Sequence, residues 1–306
     1  MTHLALVGPT ASGKSDLALA VAHAFGDVEI VSVDSMQVYR GLDIGTAKPS
    51  VRERETIPHH LVDVADPGEE WSVARFQAAA RAAVDEIESR GRRALLVGGT
   101  GLYLQAVVDP LVFPPQDLAR RAELEAQVDT DGGLALAYGE LQRVDPVAAG
   151  RIEPGNARRI VRALEVISVT GEPFSSFGPG IQAYGPTVFP VDIVGISMPT
   201  ELLVRRIERR FAAMRAAGLV EEVRELVARG ALSRTARQAI GYQEVLAHLE
   251  GAEPSLDAAF EEAVRRTKRF ARRQIRWFRR DPRITWLEAD ENPCDLVPAL
   301  LAVWSR

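Results

Sequence analysis

The amino-acid sequence predicts an α/β fold: a parallel sheet with flanking helices, interrupted by an inserted all-helical domain. Short apolar runs rich in Val, Ile and Leu alternate with helical patterns along most of the chain. A glycine-rich turn follows the first run, and prolines bracket a long segment that has no convincing strand pattern. Short, continuously apolar runs are typical of parallel strands, because crossover helices cover both faces of such a sheet.

Five apolar runs predict the strands, and helical stretches separate the first four. The runs span residues 4–7, 29–33, 94–97, 191–197 and 284–287. We therefore expect the α/β core to comprise residues 1–112 and 191–306, with basic helices at its C-terminal end. The order of the strands across the sheet does not follow from the sequence.

The inserted domain is predicted to span residues 113–190, where helical periodicity dominates. The stretch GPGIQAYGP, residues 178–186, predicts the loop that returns to the core. Further helical patterns follow over residues 201–217, up to Gly230, and through a basic stretch that ends at Arg280.

Composition indicates a globular protein, because 46% of the 306 residues are hydrophobic and 26% are charged. No apolar run approaches the roughly 20 residues that span a bilayer, and the first residues lack the pattern of a signal peptide. We therefore expect a cytoplasmic protein without membrane contact. The single cysteine, Cys294, excludes an intramolecular disulfide and leaves too few thiols for a structural zinc site.

The charge distribution is uneven. A net charge of −5 argues against a nucleic-acid partner when it is taken alone. Between residues 265 and 283, however, Asp281 is the only acid among many arginines and Lys268. Local charge decides nucleic-acid binding more than net charge does, so this segment is a candidate RNA-binding surface.

Residues 8–15, GPTASGKS, fit the phosphate-loop pattern G-x-x-x-x-G-K-S/T between an apolar strand and an amphipathic helix, which predicts a P-loop NTPase-like sheet. The glycines let backbone N–H groups turn toward phosphate oxygens, Lys14 adds a point charge, and Ser15 is a ligand for Mg²⁺. The predicted phosphate-binding residues are Gly8, Pro9, Thr10, Ala11, Ser12, Gly13, Lys14 and Ser15, with Ser15 as the metal ligand.

The acids near this loop favour group transfer over hydrolysis. A hydrolase usually has an aspartate at the end of a later strand to organise Mg²⁺, but here the run 94–97 continues into GGTGLY. Asp34 instead follows the second predicted strand, which we expect to end beside the phosphate loop, where it can take a proton from an acceptor. The alternative is a turn or helix-capping aspartate. The polar loop through Lys48 is either a ligand cover or a plain surface turn.

Six motifs together resemble the tRNA dimethylallyltransferases, also called tRNA isopentenylpyrophosphate transferases. They are GPTASGKS, VSVDSMQVYRGLDIGTAKP, LLVGGTGLYLQAVV, RALEV, AIGYQE and RRQIRWFRR, and they cover nearly the whole chain in this order. The resemblance implies transfer of a dimethylallyl group from dimethylallyl diphosphate to N6 of the adenosine 3′ of the anticodon, tRNA position 37. Diphosphate then leaves intact, and Mg²⁺ is the expected cofactor.

The resemblance also implies roles for particular residues. Asp34 matches the family's acid, Lys14 and Ser15-bound Mg²⁺ would stabilise the leaving diphosphate, and Thr100 matches a position beside the target base. Arg206 matches a diphosphate-contacting arginine, with Arg210 one helical turn later; a solvated helix face is the alternative for both.

Contact with the anticodon stem-loop of tRNA is implied for sixteen residues, and the inserted domain would act as a clamp. At helical spacing, Ile275, Phe278 and Trp277 favour the core over base stacking. We expect a monomer. The implied RNA-contacting residues are Asp34, Ser35, Met36, Gln37, Thr100, Arg121, Arg158, Arg159, Arg162, Gln238, Gly241, Tyr242, Arg272, Arg273, Arg276 and Arg279.

Three other functions stay open at the level of sequence. A small-molecule or nucleoside kinase would use Asp34 as the base for a hydroxyl group, and it would consume ATP. An RNA-binding nucleotide sensor would need no catalytic acid. A prenyltransferase acting on free adenine nucleotides would need neither the basic helix nor the inserted domain.

Overall fold

The computed structural model describes residues 1–178, 181, 183–230 and 232–304, and its strands form one parallel sheet. The order across the sheet is β3-β2-β4-β1-β5-β6. The predicted α/β class is confirmed. The strands are β1 (His3–Val7), β2 (Val28–Val33), β3 (His59–His60), β4 (Arg93–Gly98), β5 (Val191–Ser197) and β6 (Ile284–Glu288).

Helices precede or follow every long strand, as a parallel sheet requires of its crossover connections. Two short 3₁₀ turns, Phe174–Ser176 and Pro293–Leu296, complete the regular structure of the described residues. The helices are α1 (Lys14–Phe25), α2 (Val51–Thr56), α3 (Val73–Ser89), α4 (Gly101–Val108), α5 (Leu118–Val128), α6 (Gly133–Val144), α7 (Pro146–Ala149), α8 (Ala157–Thr170), α9 (Thr200–Ala216), α10 (Leu219–Arg229), α11 (Arg234–Arg237), α12 (Tyr242–Leu249), α13 (Leu256–Phe278) and α14 (Val297–Trp304).

Two features of the sheet are not given by the sequence patterns. Strand β3 contains only His59 and His60, too few residues to produce a periodic pattern. Strand β4 lies between β1 and β2, an order that the sequence left open. Val7 and Val33 both pair with Gly98, so all three strands still end at one level.

The described chain divides into two compact units. The first comprises residues 1–109 and 184–306, and the second comprises residues 110–183. Residues 184–190 belong with the first unit because the Val188 N–H donates to the Val108 carbonyl and the His3 N–H donates to the Pro190 carbonyl, both at 2.9 Å. Three positions of the predicted return loop, 179, 180 and 182, lie outside the described residues.

Each unit has its own apolar core. In the first, all five residues of β1 are buried, and α1 packs Leu17 and Val21 into the same core. In the second, helices α5, α6 and α8 bury Leu124, Leu141 and Ile160. Among the described helices, none has both the length and the apolar character needed to cross a membrane.

Candidate active site

The phosphate loop connects β1 to α1 at the carboxyl edge of the sheet, where ligands bind in open α/β sheets. A Cβ on Gly8 would lie 2.7 Å from the Ile196 carbonyl oxygen. Gly13 has a φ of +84°, and a Cβ there would lie 2.3 Å from Pro293 Cγ, so both positions require glycine. No described side chain caps the N-terminus of α1. The first N–H groups of a helix have no intrahelical acceptor, so without a cap they are available to an anion.

Lys14 is a buried cation at the start of α1. Its Nζ donates to the Pro9 carbonyl at 2.6 Å, and no carboxylate of the described residues lies within ion-pair distance of it. Burial and, to a lesser degree, the neighbouring charge of Arg210 lower the pKa of Lys14 to about 7, although the charge of Asp34 opposes the shift. A desolvated ammonium without a counterion gains most from a bound anion such as diphosphate.

Two arginines of α9 reach the phosphate loop. Arg206 Nε donates to the Ala11 carbonyl at 2.8 Å, and a terminal nitrogen of Arg210 donates to Thr10 Oγ1 at 3.3 Å. Arg206 also donates to the Glu291 carbonyl at 3.1 Å. Both side chains are only partly exposed. The structure thus brings Arg206 and Arg210 to the loop, instead of leaving them on a solvated helix face.

Asp34 follows β2 and faces the same cations. Its Oδ1 accepts a hydrogen bond from the Met36 N–H at 2.8 Å, which is the turn geometry considered as an alternative role. Its Oδ2 accepts no hydrogen bond from any described residue. The charge of Asp34 raises the pKa values of both Lys14 and Arg210, so its carboxylate lies within electrostatic reach of the phosphate loop. One oxygen therefore holds the turn while the other is available for chemistry.

Thr100 lies on the loop after β4, one residue beyond the level of Asp34. It is the N-cap residue of α4, but its side chain makes no capping hydrogen bond and is partly exposed. Val33 pairs with Gly98, so Asp34 and Gly99 are the first residues beyond two neighbouring strand ends. A Cβ on Gly98 would lie 2.0 Å from the Val33 carbonyl oxygen, which explains the glycine at this crossing.

The polar loop after Asp34 is fixed from within. Gln37 accepts a hydrogen bond from Ser32 Oγ at 2.8 Å and donates to the Thr46 carbonyl at 3.3 Å. Lys48 is 2% exposed, and its Nζ donates to the Tyr39 carbonyl at 2.7 Å and to Asp63 Oδ1 at 2.6 Å. Ser35 and Met36 are partly exposed at the start of this loop.

Glu222 of α10 and Tyr242 of α12 hold the same loop from outside. Glu222 accepts hydrogen bonds from the Asp43 and Ile44 N–H groups at 3.2 and 2.8 Å. The Tyr242 hydroxyl donates to Glu222 and accepts from the Gly45 N–H at 3.2 Å. A Cβ on Gly45 would lie 2.3 Å from the Tyr242 ring. The loop is therefore docked against the helices of the first unit.

The motif at residues 238–242 divides between surface and interior. Tyr242 has no exposed surface and Gly241 is buried, whereas Gln238 is exposed. Burial raises the pKa of Tyr242. Contact of these three residues with RNA stays a prediction, and the structure gives Tyr242 the additional role of supporting the loop at Gly45.

Helix α13 presents an arginine-rich face to solvent. Phe278 is buried, and Trp277 and Ile275 pack against the core, as their spacing predicts. The predicted RNA-contacting residues of this helix and its end are exposed, and no described acid lies within ion-pair distance of them: Arg272, Arg273, Arg276 and Arg279.

In the second unit, four predicted arginines have two different environments. Arg121 and Arg162 each pair with Glu165 at 2.9 Å, and the Glu165 side chain has no exposed surface. Arg158 and Arg159, in the first turn of α8, are exposed and make no ion pair within the described chain. Only the latter two are free to meet phosphate without losing an internal partner.

The donor groups fit a Mg²⁺ ion that is bound mainly by substrate. The described residues contain no cluster of three His, Cys, Asp or Glu side chains that could hold a metal ion. Ser15 is exposed in the first turn of α1, next to the N–H groups that face an anion. Mg²⁺ commonly keeps few protein ligands and several phosphate oxygens, so one hydroxyl in this position is sufficient.

Glu222 and Gln274 were missed in the sequence. Neither belongs to a phosphate or acid motif, and both contact loops that are far away along the chain. Gln274 lies in the arginine-rich helix, where only helical periodicity marks it as a residue of the inner face. Glu222 is one of two adjacent glutamates, and the sequence does not show which of them turns inward.

A phosphate-loop motif, two arginines at it and a carboxylate at the same edge of a parallel sheet fit an α/β transferase. Two protein-family models match the chain. The model described as IPP transferase matches residues 37–281, and the model described as isopentenyl transferase matches residues 1–63. The chain belongs to the IPP transferase family, as its motifs predict.

Individual relatives cover nearly the whole chain. The tRNA dimethylallyltransferase of Salinispora arenicola is 52% identical over 94% of this chain and 82% of its own length. The tRNA dimethylallyltransferase of Kineococcus radiotolerans is 50% identical over 97% of this chain and 95% of its own length. The tRNA isopentenylpyrophosphate transferase of Bacillus halodurans superposes with a TM-score of 0.72 at 38% identity. The superposition covers 99% of this chain and 95% of that protein. A eukaryotic dimethylallyltransferase, described as acting on tRNA, superposes with a TM-score of 0.82 at 27% identity. The superposition covers 99% of this chain and 77% of that protein.

Proposed function

We propose that this protein transfers a dimethylallyl group from dimethylallyl diphosphate to N6 of the adenosine 3′ of the anticodon, at tRNA position 37. The products are N6-(dimethylallyl)adenosine and diphosphate. The observation that carries the proposal is the buried Lys14 on the phosphate loop, which pairs with no carboxylate of the described residues, with Asp34 within electrostatic reach. The names of the relatives support this function over a kinase.

The leaving group is stabilised by the loop. As the allylic C–O bond breaks, its electron pair goes to the diphosphate oxygen. The N–H groups at the start of α1 and the charges of Lys14, Arg206 and Arg210 stabilise the negative charge that develops there. Ser15 would hold Mg²⁺, which adds positive charge against the same diphosphate oxygens.

The acceptor is activated by Asp34. The N6 lone pair of adenine is delocalised into the ring, so attack on the allylic carbon is assisted when a base takes the N6 proton. Asp34 Oδ2 is available for this proton because Oδ1 is held by the Met36 N–H. Thr100, with its uncapped hydroxyl on the adjacent loop, would contact the target base.

The exposed arginines supply the RNA surface. Arg272 and Arg276 on α13, Arg279 directly after it, and Arg158 and Arg159 on α8 would meet phosphates without giving up an ion pair to any described residue. The target base must leave its stack to reach Asp34, as enzymes that act on bases require. We expect a monomeric enzyme that acts in the cytoplasm.

The experiment compares wild type with Asp34→Asn. Purified protein, dimethylallyl diphosphate, Mg²⁺ and unmodified tRNA are mixed without ATP, and the tRNA nucleosides are analysed by mass spectrometry. Asparagine still accepts the Met36 hydrogen bond, so the turn persists, but it is not a base. We expect the transfer rate to fall by about 100-fold or more. Asp85→Asn, on the exposed side of α3, is the matched control and should retain the wild-type rate.

Other outcomes identify other functions. Modification that needs ATP, with no prenyl gain in its absence, indicates a kinase. RNA binding that is unchanged in Asp34→Asn, together with no transfer by the wild type, indicates a sensor. Transfer to adenosine monophosphate at the rate seen with tRNA indicates a nucleotide prenyltransferase.

A further inference from the structure

Gln274 joins two loops of the active site that are distant in sequence. Its Oε1 accepts a hydrogen bond from the Thr10 N–H at 2.9 Å, and its Nε2 donates to the Gly99 carbonyl at 2.9 Å. Thr10 belongs to the phosphate loop, and Gly99 immediately precedes Thr100. Gln274 is 6% exposed; its hydrogen bond to Gly99 is buried, and its hydrogen bond with Thr10 is partly buried.

The glycines of the second loop fit this arrangement. A Cβ on Gly99 would lie 2.3 Å from Gln274 Nε2, and a Cβ on Gly101 would lie 2.1 Å from Trp277 Cδ1. The inner face of α13 therefore approaches the loop after β4 more closely than any side chain on these two residues would permit. The same helix carries the unpaired arginines on its outer face.

We propose that Gln274 is a positioning residue for the transfer reaction, because it fixes the loop that holds the leaving diphosphate relative to the loop that holds the acceptor base. The proposal rests on the proposed function. Reacting groups must be held close to their productive geometry, and misplacement by about 1 Å costs roughly 100-fold in rate.

The primary amide is suited to this role because it both donates and accepts. Glutamate retains the acceptor for Thr10 but loses the donor to Gly99, and it places a negative charge next to the phosphate loop. Methionine fills a similar volume and makes neither hydrogen bond. The two substitutions therefore separate loss of positioning from loss of packing.

The test compares Gln274→Met and Gln274→Glu with wild type and with Gln142→Met, an exposed glutamine on α6. The measurements are kcat and KM with tRNA, the Kd for inorganic pyrophosphate with Mg²⁺, and hydrogen exchange of the Thr10 amide. All rates are normalised to the folded fraction.

In Gln274→Met we expect kcat to fall about tenfold or more, with KM for tRNA within about twofold of wild type, because the arginine face is untouched. Pyrophosphate affinity should fall about threefold in Gln274→Met, a typical effect of one lost hydrogen bond. It should fall further in Gln274→Glu because of charge repulsion. The Thr10 amide should exchange faster in Gln274→Met and stay protected in Gln274→Glu.

Two results would overturn the proposal: a wild-type kcat in both variants, or a loss of kcat that disappears on normalisation to folded protein. Should Gln274→Met fail to fold, Gln274→Glu alone decides, since it keeps the Thr10 bond and most of the packing. If wild type transfers no prenyl group to tRNA, the proposed function fails. The pyrophosphate affinities and the Thr10 exchange rates then show separately whether Gln274 still orders the phosphate loop.

Discussion

The basic stretch of helix α13, residues 265–276, has two halves that carry similar numbers of cations but treat them differently. In the first half, Arg265 and Arg269 share Glu262 at 2.8 Å, Arg266 pairs with Glu244, and Lys268 pairs with Glu208 at 2.7 Å. In the second half, Arg272 and Arg276 have no acid within ion-pair distance among the described residues. The sequence alone shows one continuous basic block.

This difference separates charge that the fold neutralises from charge that it presents outward. An arginine that already pairs with a glutamate gives up that partner when it meets a phosphate, so its net contribution to RNA binding is small. An unpaired, exposed arginine gives up only water and counterions. The second unit repeats the contrast: Glu165 of α8 holds Arg121 of α5 and Arg162 of α8, whereas Arg158 and Arg159 of α8 pair with no acid of the described chain.

The largest expected effect concerns the glutamates that hold arginine pairs. Glu165 and Glu262 each pair with two arginines at nearly equal distances, but Glu165 is fully buried and Glu262 is not. Glu165→Ala leaves two cations without their counterion, and we expect it to lower the free energy of unfolding of the second unit by about 3 kcal/mol. Glu262→Ala should leave stability nearly unchanged, because water replaces its partners. Denaturant-induced unfolding of both variants measures the two changes in the free energy of unfolding.

The loss of stability at acidic pH provides an independent check on the role of Glu165 as a buried counterion. Burial alone would raise its pKa, but hydrogen bonds from Arg162, the Asp117 N–H and Arg121 outweigh burial and lower the pKa below its ordinary value of 4.5. The stabilising contribution is therefore fully present above about pH 4.5 and is lost as the pH falls through the lowered native pKa. Wild type and Glu165→Ala should converge in stability only in that acidic range, and convergence near neutral pH would contradict this assignment.

The next effect concerns tRNA affinity. We expect Arg272→Ala with Arg276→Ala to weaken tRNA binding roughly tenfold at low salt and to reduce the slope of log K against log salt by about 2, one unit for each lost phosphate contact. The double substitution Arg265→Ala with Arg269→Ala, in the paired half, is the matched control and should change neither quantity appreciably. Binding is measured by filter retention or fluorescence across a salt series. Equal effects from the two pairs would show that ion pairing within the helix does not govern RNA contact.

Sequence patterns predicted the parts of the site that depend on local chemistry. The phosphate loop, Asp34 and the inward turn of Phe278 follow from a motif, a strand end and a helical period, all of which occupy neighbouring residues. Pairing partners follow no such rule, because Glu165 reaches Arg121 across 44 residues and Gln274 reaches Thr10 across 264. The position of β4 between β1 and β2 was likewise not predictable from sequence, since every parallel strand has the same apolar pattern.

Lys14 differs from the arginines of α13 and α8 because it is buried as well as unpaired with any described acid. For this residue the expected effect is proton uptake when an anion binds. Because burial lowers the pKa of free Lys14 to about 7, we expect a bound diphosphate to raise the protonated fraction of this side chain at pH 8. Wild type should therefore take up more protons than Lys14→Arg on binding pyrophosphate at pH 8, because arginine stays charged throughout. Calorimetry in buffers of different ionisation enthalpy measures this uptake. Proton uptake on binding also predicts the pH dependence of affinity: the affinity of wild type for pyrophosphate should fall relative to that of Lys14→Arg as the pH rises above about 7. Equal proton uptake by the two proteins would mean that Lys14 is already charged in the free enzyme.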